Sequence, residues 1–191
     1  MALFDRTKLP RPAFLERVLR PVQEAGPVTL TQRRLYILPT RHGLIYALML
    51  LVMLLGSINY ANSMGFVLTF LLASLAVVSI LHTYRNLAQL KVEAGKADPV
   101  FAGQEAHFHL SLDNPSVRPR FAVGLCRGKT AIAYCDIAAG HSAKLEFRVP
   151  ATQRGLLHPG SFSLFSTFPL GLFRVWVHLN LDMHCLVYPR P

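Results

Sequence analysis

The feature that most constrains this chain is the stretch from Gly43 to Leu81, which contains no Asp, Glu, Lys, Arg or His. At about 1.5 Å per residue a single helix of that length would extend roughly 58 Å, about twice the ~30 Å hydrocarbon thickness of a bilayer. The stretch must therefore turn once. The turn is written at Asn59, Tyr60, Ala61, Asn62 and Ser63, where two turn-prone Asn residues lie between Gly56 and Gly65. The reading is a two-helix transmembrane hairpin over residues 43–82, with spans at 43–60 and 64–81.

In the second span Gly65, Thr69, Ala73 and Ala76 recur at helical spacing as a stripe of small residues. Small residues let helices approach closely in lipid, where apolar surface alone does not drive association. The stripe is expected to pack on the first span around Gly56. Neither span carries an ionisable side chain, so the hairpin reads as an anchor and not as a transport path.

The formal net charge is +10, and it is densest ahead of the first span, where residues 1–42 hold eight Lys and Arg against three Asp and Glu. Basic residues flanking a span stay on the cytoplasmic side. The arm of residues 1–42, with Arg85 and Lys91 after the second span, thus puts both termini in the cytoplasm and the uncharged loop outside. Between Pro12 and Pro21, Phe14, Leu15, Val18 and Leu19 supply the apolar side of a short amphipathic helix, although five prolines argue against longer regular structure in the arm. Arg11, Arg17, Arg20, Arg33, Arg34 and Arg41 are the expected contacts to anionic lipid at the membrane surface. A nucleic-acid partner is not indicated, because no folded motif carries the charge. The apolar run begins too late for a cleaved signal peptide. Thiols stay reduced in the cytoplasm, so Cys126, Cys135 and Cys185 read as free core residues.

After Asn86 the hydrophobic period changes from helical to alternating. Strands are predicted at 87–94, 107–112, 121–127, 130–137, 143–149, 155–164, 172–179 and 183–188, with Gly and Pro between them. Short strands at this spacing predict an antiparallel immunoglobulin-like β-sandwich over residues 87–191.

Residues that could carry chemistry are few. His107 and His109 project to one face of a strand as two metal ligands could, but no third ligand stands at convincing spacing. Gly128, Lys129 and Thr130 resemble the end of a phosphate-binding loop, yet Val123 stands where that motif needs its first Gly. No signature surrounds any nucleophile, so no catalytic, cofactor-binding or metal-binding residue is assigned. The most distinctive segment is Arg154 and Gly155 followed by Phe168, Pro169, Leu170, Gly171, Leu172 and Phe173. Pro169 and Gly171 shape a turn that would return Phe168 and Phe173 to the core. It is either a plain strand connection or a corner for docking a partner.

Taken together, several of these residues resemble a known bacterial family. Pro39 to Gly43 at the first span, Asn59 to Asn62 in the loop and His82 to Leu87 leaving the second span are similar to the N-terminal part of the domain-of-unknown-function family fifty-eight. Arg154 and Gly155, Pro169 to Phe173 and the ending Val187, Tyr188, Pro189 fit the same family. The resemblance implies two spans in a bacterial inner membrane, a β-rich region, and then a conserved domain related to von Willebrand factor A folds. It also implies an association with MoxR-type AAA+ ATPases. Pro191 falls about where that conserved domain would begin, so its metal-dependent adhesion chemistry is not carried over, and the chain reads as a short member or a truncated one.

The functional expectation is a non-enzymatic, membrane-anchored adaptor that presents a cytoplasmic β-sandwich to a MoxR-type ATPase or a von Willebrand A-domain protein. Two alternatives stay open: a cell-envelope enzyme using His107 and His109, and a truncated remnant without independent function.

Overall fold

The computed structural model describes residues 23, 24, 26, 28–30, 35–128 and 130–189. The expected amphipathic helix, with Arg11, Arg17 and Arg20, lies outside these residues, as do Arg33 and Arg34.

Two apolar helices form the hairpin. Helix α1 spans Arg41–Asn59, and the Thr40 hydroxyl caps it by accepting the Gly43 N–H. Helix α2 spans Ser63–Leu87, capped by Asn62, whose side chain accepts from Met64 N and Gly65 N. Both caps satisfy backbone donors that the first helical turn leaves without partners. Helix α2 continues past Leu81 through His82–Leu87, so Leu87, predicted to start a strand, ends the helix instead. Nothing between Leu81 and Leu87 breaks a helix, and Arg85 in the last turn suits the negative end of the helix dipole.

The helices are joined by a hydrogen bond from Tyr46 Oη to the Leu72 carbonyl at 2.8 Å. Ser57 and Thr69 bond back to carbonyls one turn earlier, Met53 and Gly65 respectively, each at 2.8 Å, which satisfies their hydroxyls without a partner helix.

Short strands from the segment before α1 join the sheets. Strand β1 (Gln23–Glu24) and strand β3 (Tyr36–Pro39) flank the longest sheet, and β2 (Val28–Thr29) edges the second. The remaining strands are β4 (Lys91–Ala94), β5 (Val100–Phe101), β6 (Glu105–Asp113), β7 (Arg120–Arg127) and β8 (Thr130–Ile137). They continue with β9 (Ser142–Pro150), β10 (Gly155–Leu157), β11 (Phe162–Ser166), β12 (Phe173–Leu181) and β13 (Cys185–Tyr188). The predicted strand over 155–164 divides into β10 and β11, which belong to different sheets, with Gly160 at φ +76° between them.

Among the described residues one sheet runs β1-β12-β11-β7-β8 with β3 also on β12, a second runs β2-β4-β6-β9, and a third runs β10-β13-β5. Pairing is antiparallel except for β1 with β12 and β13 with β5.

The alternation seen in the sequence sets the core. On β6, Ala106, Phe108, Leu110 and Leu112 are fully buried while His107, His109 and Ser111 face outward. Phe108 stacks on Phe147 of the neighbouring strand, and Phe147 meets Phe162 of the longest sheet with ring centroids 5.7 Å apart. Val123, Leu125, Leu164, Val175 and Val177 complete the same cluster, so the first two sheets share one core. Full burial of each such side chain stabilises by roughly 1.5–3 kcal/mol. Cys126, Cys135 and Cys185 are free thiols. In the β7–β8 register Cys126 stands opposite Ala131 and Cys135 opposite Val123. Burial and the neighbouring Asp136 push the Cys135 thiol up to about 11, so it stays protonated at neutral pH.

Candidate functional site

The helices do not hang from the β-region by a linker. The Thr40 hydroxyl donates to the Gly171 carbonyl at 2.5 Å, and the Thr40 N–H donates to the Leu172 carbonyl at 2.8 Å. The turn after β11, which contains a cis Phe168–Pro169 peptide, thus holds the start of α1. At the other end Asn86, 5% exposed, is the fastening. Its amide donates to the Phe121 carbonyl and to Ser166 Oγ, both at 2.7 Å, and its carbonyl oxygen accepts the Phe121 N–H at 3.0 Å. Every polar group of this side chain is used in joining α2 to β7 and β11.

Two clefts lie beside these fastenings. The first, of about 570 Å³, is lined by His82, Tyr84 and Arg85 from α2, by Arg118 and Arg120, and by Phe121 and Phe168 among others. Arg120 is 6% exposed. Its guanidinium donates to Asn114 Oδ1 at 3.2 Å and to the Ala88 carbonyl at 3.1 Å, both neutral acceptors. Burial, then Arg85, then Arg118, push its pKa down from the usual arginine value. Arg85 and Arg118 are exposed.

The second cleft, of about 500 Å³, lies at the start of α1 and is lined by Thr40, Arg41, Cys126, Ser163, Arg174, Trp176 and His178 among others. Ser163 and His178 face each other in the β11–β12 register, with Oγ and Nδ1 2.6 Å apart. Desolvation holds His178 below the usual histidine value, and which of the two atoms donates in this hydrogen bond depends on the tautomer of the ring. A serine beside an imidazole is two parts of a nucleophilic site. The described lining residues supply no carboxylate to orient the ring. Arg174 lies over the Phe165 ring at 4.3 Å.

Of the residues marked from sequence, Arg41 is exposed in the first turn of α1 and lines the second cleft. Gly65 faces Ser57, whose hydroxyl leaves no space for a Cβ, whereas a Cβ at Gly56 would meet nothing within 4 Å. Thr69 is buried, and Ala73 and Ala76 are half-buried. Phe168 and Phe173 are both half-buried, Phe168 packing on Phe121 with centroids 5.1 Å apart, while Leu172 between them is the buried residue of the turn. Pro169 and Leu170 are exposed, and Gly171 takes φ +69°. Arg154 is exposed, and Gly155 pairs with Val187 in the three-stranded sheet, apart from the sheet that carries the turn.

His107 is held by Glu146 across the strand pair at 2.5 Å, and His109 stands opposite Glu146 in register. Among the described residues no group of three or more His, Cys, Asp and Glu converges as a metal site. The sequence reading did not identify Arg118, Arg120 or the Ser163–His178 pair. A local signal for the arginines was present, since residues 114–135 contain no Asp or Glu around Arg118, Pro119 and Arg120.

No protein-family model, no curated protein and no solved structure matches this chain, so its two helices, its sheets and the clefts between them are what bears on its function.

Proposed function

We propose that this protein is a two-pass inner-membrane adaptor whose β-region, an immunoglobulin-like sandwich, is held in fixed orientation on the cytoplasmic surface of the bilayer to receive a protein partner. The observation that carries the reading is the double fastening of the hairpin, by Thr40 on Gly171 and Leu172 and by Asn86 on Phe121 and Ser166. A flexible tether would need neither. Membrane insertion is supported by the exposure of the helices: their most apolar windows are only 6% and 11% buried. A core helix of a water-soluble protein would be covered, and apolar patches of this extent are unfavourable in water. Arg41, Arg85 and Lys91 at the inner ends and the uncharged loop at the outer end support the cytoplasmic orientation.

The resemblance to family fifty-eight supplies the partner, a MoxR-type AAA+ ATPase or a von Willebrand A-domain protein. The reading assigns no catalysis to the chain. Two measurements test it. A fluorescent reporter fused behind Pro191 is expected to light up in the cytoplasm, and an alkaline phosphatase at the same point to stay inactive; the reverse pattern overturns the orientation. Purification of the tagged full chain in mild detergent is expected to bring a MoxR-type ATPase with it, and a well-expressed bait that yields none removes the partner.

A further inference from the structure

We infer that the cleft between α2 and the Arg118–Phe121 segment is a binding site for a phosphate-bearing anion, and that its ligand is the headgroup of an anionic phospholipid. The inference rests on the membrane-spanning reading above for the source of the phosphate, and on the cleft itself for the chemistry.

Three arginines converge there. Arg120, a buried residue, lines the cleft together with the exposed Arg85 and Arg118. Among the described residues the lining holds no Asp or Glu, and the acceptors of Arg120 are an amide oxygen and a backbone carbonyl. A buried charge without a counter-charge is costly, so native proteins pair such groups. Here Arg85 and Arg118 add repulsion in place of compensation. Among the described residues nothing in the cleft lining supplies a negative charge. A phosphate diester fits best, because guanidinium groups bind its oxygens through paired, charge-assisted hydrogen bonds. The opening of about 570 Å³ is large enough for a glycerophosphate headgroup.

The position of the cleft selects the lipid. The uncharged run ends at Leu81, and His82, Tyr84 and Arg85 follow within the next helical turn, at the depth where phosphates begin. Tyr84 and Phe121 offer the amphipathic and apolar surfaces that suit the boundary between headgroup and acyl chain. Soluble inorganic phosphate shares the same chemistry and is the competing source.

The test is native mass spectrometry of the detergent-purified full chain with added phosphatidylglycerol, phosphatidylcholine or inorganic phosphate. Phosphatidylglycerol is expected to be retained over phosphatidylcholine. Arg85→Gln and Arg118→Gln are expected to weaken that retention about fivefold each, the factor corresponding to about 1 kcal/mol for one basic group at an anionic surface. The paired Lys substitutions, which keep the charge but not the paired hydrogen bonds, are expected to restore part of it, which separates loss of charge from loss of fold. Equal retention of the two lipids, or retention unchanged by both Gln variants, overturns the site. Displacement of phosphatidylglycerol by inorganic phosphate at equal concentration keeps the anion site but overturns the lipid as its ligand. A parallel reconstitution into pure phosphatidylcholine vesicles with carbonate extraction reads the spanning hairpin alone. Extraction there removes the membrane reading, whereas firm insertion without anionic preference removes only the cleft.

Discussion

The carbonyl oxygen of Leu172 lies so close to Gly43 that no side chain can begin at residue 43. The first turn of α1 and the turn after β11 are in backbone-to-backbone contact there, reinforced by Thr40, which bonds to both the Gly171 and Leu172 carbonyls. The segment marked from its sequence as a possible docking corner is thus engaged by the chain's own first helix. Leu170 is its exposed hydrophobic residue.

Gly43→Ala is expected to destabilise the protein even though Ala is the better helix former. The substitution forces a backbone shift of the kind that overpacking causes, at a cost of about 1–3 kcal/mol. Gly56→Ala, where open space surrounds the position, is expected to be neutral or to stabilise by up to about 1 kcal/mol. Thermal unfolding of both variants in the same detergent checks the opposite signs, and a lowered midpoint for Gly56→Ala with an unchanged one for Gly43→Ala would refute the contact.

Asn86→Leu removes three hydrogen bonds and leaves the Phe121 N–H facing an apolar group, while Ser166 Oγ keeps the Phe168 N–H and the Phe121 carbonyl. The expected loss is about 2–3 kcal/mol, since each buried group left unsatisfied costs about 1–3 kcal/mol. Denaturant unfolding followed by Trp176 fluorescence measures it. Limited proteolysis should cut the Ala88–Leu90 junction faster in the variant, because α2 is then no longer held to β7.

The His107 hydrogen bond holds the Glu146 carboxyl below the usual glutamate value. A carboxylate with a depressed folded pKa stabilises above its unfolded value, about 4.3, and loses that contribution as the pH falls through the folded value. The wild type is therefore expected to lose more stability between pH 6 and pH 3 than Glu146→Gln. Equal acid limbs in urea titrations at those pH values would show that the pair carries no linkage.

His178 works in the opposite protonation sense but with the same slope. Its folded pKa is lowered by desolvation, so on acidification the unfolded chain takes up the proton first. Stability is expected to be full above about pH 6.5, to decline as the pH drops through that value and to level off below the folded pKa. His178→Gln should flatten the profile between pH 5 and pH 7, as followed by unfolding midpoints or by the imidazole proton resonance.

The strands were legible where one face is buried and the other is not. Residues 107–112 and 143–149 alternate in the sequence, and β6 and β9 cover them. The short strands β1, β2 and β3 were not, because their place in the sheets comes from pairing with β12 and β4, distant in sequence, and not from any local period. Leu87 was read as the start of a strand for a related reason: the apolar run stops at Leu81, but the backbone hydrogen bonding that defines the helix continues to Leu87.

The sequence by itself determined the hairpin and the apolar sides of the strands, because absence of charge and alternation of side chains are properties of neighbouring residues. Only the tertiary structure decided that Arg85 faces Arg118 and Arg120 across one cleft, that Ser163 meets His178, and that Gly43 rests on Leu172. Those partners are between 15 and 129 positions apart, and what brings them together is strand register and the fastening of two helix ends, which no local pattern encodes.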